Sequence, residues 1–244
     1  MNALHKNPMA NETTGRAVSG VPTWKRLLDI TCVLLALPAL VPLAVFIGIS
    51  IKLYSSGPIM FSQARVGYRG TRFKCLKFRS MKINAHSSMH EKHLSQLINS
   101  DLPMTKMDSR GDPRIIPFGT MLRATGLDEL PQIINVVRGE MSLVGPRPCL
   151  PYEHEKYLPR HKQRYDTLPG LTGLWQVSGK NKTTFEEMIE MDIWYATNKS
   201  FWLDLTIMLK TIPAIFGQIH ETWHNVKQNS RSRTLATQPI GKSN

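Results

Sequence analysis

The chain has 244 residues and a formal net charge of +13, with 41% hydrophobic and 20% charged residues. These values exclude an intrinsically disordered chain and a polytopic membrane protein, and 16 glycines and 16 prolines exclude a collagen-like one. The three cysteines are an odd number and show no Cys-x-x-Cys spacing. They therefore argue against a disulfide framework or a zinc module, and favour a reducing compartment.

The positive charge is concentrated near the N-terminus. Residues 1–82 contain 12 lysines and arginines against 2 acidic residues, whereas residues 83–244 contain 19 against 16. Such a local excess favours an anionic partner: lipid headgroups, nucleic acid or a phosphorylated ligand. A merely solvated basic face would give the same pattern.

An uncharged, apolar stretch runs from Ile30 to Ile51 within this basic region. As a helix it would be about 33 Å long, enough to cross the hydrocarbon core of a bilayer. Pro38 and Pro42 lie on one helical face, and each removes a backbone hydrogen-bond donor. Basic residues flank both ends, which favours both ends staying in the cytosol. Two interpretations remain: a kinked helix that spans the membrane, and a re-entrant helix that breaks at the prolines.

The rest of the chain alternates short predicted elements with turns. Residues 84–100 are polar, and His86, His90 and His93 have a spacing that could form a metal-binding helix face. Because no matching ligand cluster occurs elsewhere in the sequence, a solvated helix face explains them better. Strands are predicted at Ile59–Gln63 and Arg72–Phe78, and helices at Phe118–Ala124, Leu130–Arg138, Tyr152–Arg164, Thr184–Asn198 and Phe201–Gln218.

The last of these helices, Phe201–Gln218, is apolar and aromatic with isolated charges at Asp204 and Lys210. It is typical either of a core helix or of a helix lying in the membrane interface.

Three short motifs contain residues suited to phosphate chemistry. The adjacent acids Asp128 and Glu129 precede Pro131, although the spacing from Thr125 to Asp128 also resembles a helix capping box. Arg147 lies between Pro146 and Pro148, where a rigid backbone would fix a guanidinium that can bind phosphate through two hydrogen bonds. An exposed arginine in an ordinary turn is the alternative.

The third motif is the basic segment Lys74–Met81. Its extended pattern predicts Lys77 and Arg79 on one face of a strand. Alone it is a weak indication, because basic edge strands are common.

In their order along the chain, the apolar hairpin and the segments KFRSM, LDELPQIINVVRGEMSLVGPRP and PGLTGLWQVSGK resemble the bacterial sugar transferases, the monotopic phosphoglycosyl transferases. The resemblance covers about Lys25 to Gln218. It implies an enzyme that moves a sugar-1-phosphate from a UDP-sugar to undecaprenyl phosphate and releases UMP. It also implies a covalent aspartyl phospho-sugar intermediate and the initiating step of exopolysaccharide, capsule, O-antigen or glycoconjugate synthesis.

The resemblance assigns roles to individual residues. Asp128 and Glu129 match the catalytic pair, with Asp128 as nucleophile and as a ligand of Mg²⁺, the expected cofactor. Structural support of the site is expected from Arg123, Pro131, Pro146 and Pro148, and the acids Asp192 and Asp204 match family positions of unsettled role. Substrate phosphates are expected at Lys77, Arg79 and Arg147. The usual Ser-Pro break of the membrane helix is Val41-Pro42 here.

The expected fold is α+β and mainly helical. A proline-broken re-entrant membrane helix hairpin precedes one cytosolic globular domain with a short β-hairpin and amphipathic helices lying in the membrane interface. The expected boundaries are a disordered leader at 1–22, the membrane helix at 23–54, the catalytic domain at 55–220 and a flexible tail at 221–244. No role is assigned to the polar insert from Ala85 to Asp108.

The expected location is the cytosolic face of the bacterial inner membrane. There the partners would be a UDP-sugar, undecaprenyl phosphate, anionic lipids and downstream glycosyltransferases, and no nucleic acid. A non-catalytic scaffold for polysaccharide assembly would not need Asp128. A nucleic-acid binder is disfavoured because no DNA- or RNA-reading motif is present.

Overall fold

The computed structural model describes residues 20–82, 96–97, 100, 102–104, 114–116, 118–179 and 182–236. Within these ranges the chain is mainly helical with two small sheets, which confirms the predicted α+β class. The histidines 86, 90 and 93 and most of the insert 85–108 lie outside the described residues. The helices are α1 (Thr23–Tyr54), α2 (Gly119–Thr125), α3 (Gln132–Val137), α4 (Pro151–Glu155), α5 (Leu174–Val177), α6 (Phe185–Asn198) and α7 (Phe201–Ala236), and the strands are β1 (Met60–Val66), β2 (Arg72–Phe78), β3 (Ser142–Val144) and β4 (Gly170–Thr172).

The apolar segment forms the long helix α1, which contains both Pro38 and Pro42. Among the described helices it is the one long and apolar enough to cross a membrane. Because one helix is assigned across both prolines, the predicted helix hairpin is not confirmed.

The two ends of α1 pack against the rest of the protein, while its middle is exposed. Val33 shares a buried cluster with Cys75 of β2, and Ile47 shares another with Phe78 of the same strand. Between these ends the exposed side chains are apolar, as in a helix that meets lipid: Leu34, Leu35, Leu37, Val41, Val45 and Phe46.

The two strands that follow form the predicted β-hairpin. β1 and β2 are antiparallel, in register from Met60 opposite Phe78 to Val66 opposite Arg72. The turn between them needs positive φ at Arg69 and Gly70, and glycine adopts that conformation without a Cβ clash. The second sheet was not predicted: β3 and β4 pair in parallel, with Ser142 opposite Gly170.

The helix predictions succeed where local signals are strong. α6 begins at Thr184, whose side chain caps the helix while Glu187 binds back to the Thr184 backbone. The helix predicted at Tyr152–Arg164 is wrong, because α4 ends at Glu155 and a separate 3-10 helix covers Pro159–Asp166. Leu158, directly before Pro159, is extended, as a residue before proline prefers to be.

The C-terminal helix α7 begins where the sequence predicts but continues to Ala236, into the segment predicted as a tail. One face belongs to the core, since Asp204 and Ile207 are buried. Trp202, Leu209 and Phe216 are exposed. The helix therefore has the buried face of a core helix, and its contact with a membrane interface stays a prediction.

Candidate active site

The two adjacent acids lie in a tight turn between α2 and α3. Helix α2 ends at Gly126, whose φ of 74° is the left-handed conformation that glycine adopts most readily. A short 3-10 turn over Leu127–Glu129 follows, and Pro131 then begins α3. Asp128 is 7% exposed. The chain therefore fixes both carboxylates between two helices.

The alternative interpretation of these acids was helix capping. Thr125 is the last residue of α2, and its hydroxyl donates to the carbonyl oxygen of Met121 at 2.8 Å and accepts from the backbone N–H of Leu127 at 3.4 Å. Asp128 and Glu129 both lie in the first turn of the 3-10 helix, where acidic side chains are favoured. A capping role and a catalytic role are therefore both compatible with the position of Asp128.

Lys77 holds the acidic turn against the β-hairpin. Its Nζ donates to Oε1 of Glu129 at 2.6 Å, and both side chains are largely buried. Asn135 of α3, which the sequence analysis missed, joins this helix to β2. Its Nδ2 donates to the carbonyl of Lys74 at 2.9 Å, and its Oδ1 accepts from the backbone N–H of Leu76 at 3.1 Å. A lone polar residue within the apolar run of α3 was the available signal.

Arg147 is positioned through its backbone. The carbonyl oxygen of Arg147 accepts from the Arg164 guanidinium at 2.9 Å. Arg164 is itself held by the Asp192 carboxylate at 2.5 Å and the Tyr157 hydroxyl at 2.6 Å. Burial raises the pKa of Asp192 to about 6, although Arg164 opposes that shift. Asp192 therefore has a structural role: it binds Arg164, which in turn binds the backbone of the loop that carries Arg147.

Close backbone contacts lock the loop that carries Arg147. Gly145 donates to the carbonyl of Thr172 at 2.8 Å, and Gly170 donates to the carbonyl of Pro146 at 2.9 Å. A Cβ on Gly145 would lie 2.2 Å from the carbonyl oxygen of Leu168, so only glycine fits there. This contact explains why the two glycine-proline motifs occur together in the fold.

These elements surround one cavity. From the predicted site it contains Lys77, Glu129, Arg147 and Pro148, so three distant segments of the chain do meet. Asp128 lies in the same turn as Glu129 but is not among the residues that line the cavity. The lining residues that the sequence analysis missed are Arg65, Cys75, Gln132, Gly170, Leu171 and Gln176.

Arg79 follows β2, which ends at Phe78, and its backbone N–H continues the hairpin pairing by donating to the carbonyl oxygen of Ile59 at 2.9 Å. Its guanidinium donates to the carbonyl oxygens of Ser56 at 2.7 Å and Ser55 at 2.8 Å, just after α1. Arg79 therefore fixes the end of α1 and does not line the cavity.

The remaining support residues lie around the acidic turn. The Arg123 carbonyl oxygen accepts from Nε2 of Gln218 at 3.1 Å, which ties α2 to α7. Pro131 directly precedes α3. The contact with Gln218 uses only the backbone of Arg123, and the support roles of the Arg123 and Pro131 side chains stay predictions.

The acidic turn has donor atoms suited to magnesium. In the part of the chain that the structure describes, no three His, Cys, Asp or Glu side chains form a group that could hold a metal ion. Mg²⁺ often takes only one or two carboxylates and completes its shell with water and substrate phosphates. The oxygens of Asp128 and Glu129 fit that partial donor set.

Comparison with known proteins matches residues 21–218 to the bacterial sugar transferase family. The chain is 40% identical over 200 residues to the exopolysaccharide production protein ExoY of Sinorhizobium fredii, covering 82% of this chain and 88% of that one. It is 37% identical over 195 residues to the undecaprenyl-phosphate galactose phosphotransferase of Salmonella typhimurium, covering 78% of this chain but 40% of that protein.

A third relative is the UDP-glucose:undecaprenyl-phosphate glucose-1-phosphate transferase of Caulobacter vibrioides. It is 38% identical over 199 residues, which covers 78% of this chain and 69% of that one. The chain thus spans most of some relatives and less than half of others.

Proposed function

The chain belongs to the bacterial sugar transferase family, and we propose that it transfers a sugar-1-phosphate from a UDP-sugar to undecaprenyl phosphate with release of UMP. The observation that carries this proposal is the cavity in which Lys77 and Arg147 meet Glu129 of the Asp-Glu turn. Relatives whose names specify that transfer support it. The product would begin an exopolysaccharide or a related glycoconjugate.

The proposed reaction has two displacements at one phosphorus. An Asp128 oxygen attacks the sugar-bearing phosphorus, and the bond from that phosphorus to the UMP oxygen breaks. A phosphate oxygen of undecaprenyl phosphate then attacks the same phosphorus, and the bond to Asp128 breaks. The products are UMP and a polyprenyl diphosphate sugar, and the carboxylate is regenerated.

Positive charge must oppose the repulsion between a carboxylate and a diphosphate. Arg147 lines the cavity. Lys77 also lines it and contacts Glu129 of the acidic turn. Such fixed cations stabilise charge as it moves between phosphate oxygens. We propose Asp128, with Glu129, as the magnesium ligands, and the ion would further neutralise the substrate phosphates.

The proposed donor reaction can be tested directly. With Mg²⁺ and a panel of UDP-sugars, we expect the purified protein to release UMP with at least one donor and to acquire labelled phospho-sugar. Chelation by EDTA should stop both, and added Mg²⁺ should restore them. Full turnover in EDTA would remove the metal from the scheme. Absence of UMP with every donor, in the presence of undecaprenyl phosphate, would refute the activity.

A re-entrant α1 is also part of the proposal, since it would place both substrates at the cytosolic surface of the inner membrane. A straight helix would separate Val33 from Ile47 by about 21 Å. Their cluster partners Cys75 and Phe78 are about 10 Å apart along β2. A bend near Pro38 and Pro42 would reconcile these separations. The exposed aromatic residues Trp202 and Phe216 of α7 support contact with the membrane interface.

We expect cysteines placed before and after α1 to label from the same side of the membrane. Gly20→Cys and Ser56→Cys suit this test, since both positions are exposed. The native cysteines at 32, 75 and 149 would be replaced by alanine, and that parent, which should not label, is the control. A membrane-impermeant maleimide should label both sites in inside-out vesicles and neither in spheroplasts. Labelling from opposite sides would establish a spanning helix.

A further inference from the structure

Arg65 of β1 is a buried cation in the wall of the cavity. It is 5% exposed. Nη1 donates to the carbonyl oxygen of Pro148 at 2.9 Å, and Nη2 donates to Oε1 of Gln63 at 2.8 Å. Nε is shut off from solvent and has no hydrogen-bond partner among the described residues. Both acceptors are neutral, so these contacts hold the side chain without neutralising its charge.

Among the described residues, no ion pair includes Arg65. By contrast, Lys77 on the neighbouring strand pairs with Glu129. A guanidinium stays protonated in proteins, so the buried charge cannot be removed by titration. An unpaired buried charge is costly. Arg79 also donates to neutral carbonyl oxygens, but it lies outside the cavity, whereas Arg65 lines the cavity and can meet a ligand there.

A second arginine increases this local excess of charge. Arg147 lines the same cavity, and within the described residues its side chain has neither a hydrogen bond nor an ion pair. Burial first and the charge of Arg147 second lower the pKa of Arg65, which Glu153 opposes less strongly. The cavity lining thus contains three cations, Arg65, Lys77 and Arg147, against the single carboxylate of Glu129.

We propose that Arg65 and Arg147 together bind one phosphate group, with Arg65 donating through Nε. This inference rests on the proposed function and extends it by adding a phosphate-binding residue from β1. The same guanidinium holds the Pro148 carbonyl, so Arg65 also sets the position of the loop that presents Arg147. The phosphate could come from the diphosphate of the sugar nucleotide or from the polyprenyl phosphate.

The test is binding of inorganic pyrophosphate without metal, followed by thermal unfolding and titration of the full chain. We expect pyrophosphate to stabilise the wild type. Arg65→Gln and Arg65→Lys should raise the Kd for pyrophosphate by about tenfold to a hundredfold, because each removes a charge-assisted hydrogen bond. Arg72→Gln is the matched control, because it removes an arginine from the same hairpin at an exposed site. It should bind like the wild type.

A purely structural Arg65 would give a different result. Its variants would unfold at lower temperature but bind pyrophosphate with the Kd of the wild type, and that outcome overturns the proposal. Parallel titrations with UDP and with a short polyprenyl phosphate identify the source of the phosphate. The source is the ligand whose Kd the Arg65 substitutions raise. If neither pyrophosphate, UDP nor the lipid phosphate binds the wild type, the proposal is also overturned. Release of UMP by that same wild type would leave the proposed function intact.

Arg147→Gln provides a second arm if Arg65→Gln does not fold. Removal of the neighbouring charge should raise the unfolding temperature of the ligand-free protein, because it relieves repulsion on Arg65. The same substitution should weaken pyrophosphate binding by a similar factor. A lower unfolding temperature together with unchanged binding would contradict the pairing of the two arginines.

Discussion

Asp128→Asn should reduce UMP release by at least about a thousandfold and abolish labelled phospho-sugar on the protein. An amide has no negative charge and is a poor nucleophile towards phosphorus, so the first displacement has no substitute route. The side chains have nearly the same volume, and we therefore expect the fold to be retained. The measurement is single-turnover UMP release with the best donor of the panel, together with phosphorus label retained after denaturation.

Two further variants separate the roles of the acidic pair. Glu129→Gln keeps the Asp128 carboxylate but replaces the ion pair with Lys77 by a hydrogen bond from the ammonium group to an uncharged amide. It should slow turnover and still form an adduct. Asp166→Asn removes an exposed acid outside the cavity and should behave as wild type. An adduct on Asp128→Asn that is lost in Glu129→Gln would transfer the nucleophile to Glu129, which lines the cavity directly.

The conformation of Asp128 matters for this experiment. Asp128 is 7% exposed, and its neighbour Glu129 lines the cavity beside Lys77 and Arg147. In the ligand-free protein the buried acid would be kept apart from water, which would limit wasteful hydrolysis of the donor.

Local sequence signals predicted the elements that depend on local interactions. The hairpin strands and the helices α2 and α6 were predicted to within a few residues, because each is fixed by residues a few positions apart. The same signals predicted one helix through Pro159, where the structure has two separate helices. They did not predict the contacts of the Arg79 guanidinium with the carbonyl oxygens of Ser56 and Ser55, because those residues lie 23 and 24 positions away in the chain.

The site itself depends on contacts that no local signal contains. Lys77 meets Glu129, and the Arg147 loop meets β4, across long separations in the chain. The resemblance to a family predicted that these motifs form one site. It did not identify Arg65, Asn135 or Arg164, whose importance comes from burial and from the acceptors around them.

The junction of α1 with the globular part contains a buried network of charged and polar groups. Nζ of Lys25 contacts Oδ2 of Asp204 at 2.5 Å and the Tyr195 hydroxyl at 2.8 Å. That hydroxyl contacts Oδ1 of Asp204 at 2.6 Å and the carbonyl oxygen of Val144 at 3.1 Å. The network therefore connects the start of α1 to α6, α7 and β3. This gives Asp204 a structural role.

Asp204→Asn should lower the free energy of unfolding by about 3–5 kcal/mol, because it leaves the Lys25 ammonium buried without its counter-charge. The double variant Lys25→Met with Asp204→Leu should recover most of that loss, since removing both charges also removes their desolvation cost. Glu155→Gln is the matched control: its pair with Arg72 is exposed, and its loss should cost no more than about 1 kcal/mol. Denaturant unfolding in detergent micelles measures all three. Equal losses for Asp204→Asn and Glu155→Gln would show that the network does not anchor α1, and α1 would then be held to the globular part by its apolar contacts alone.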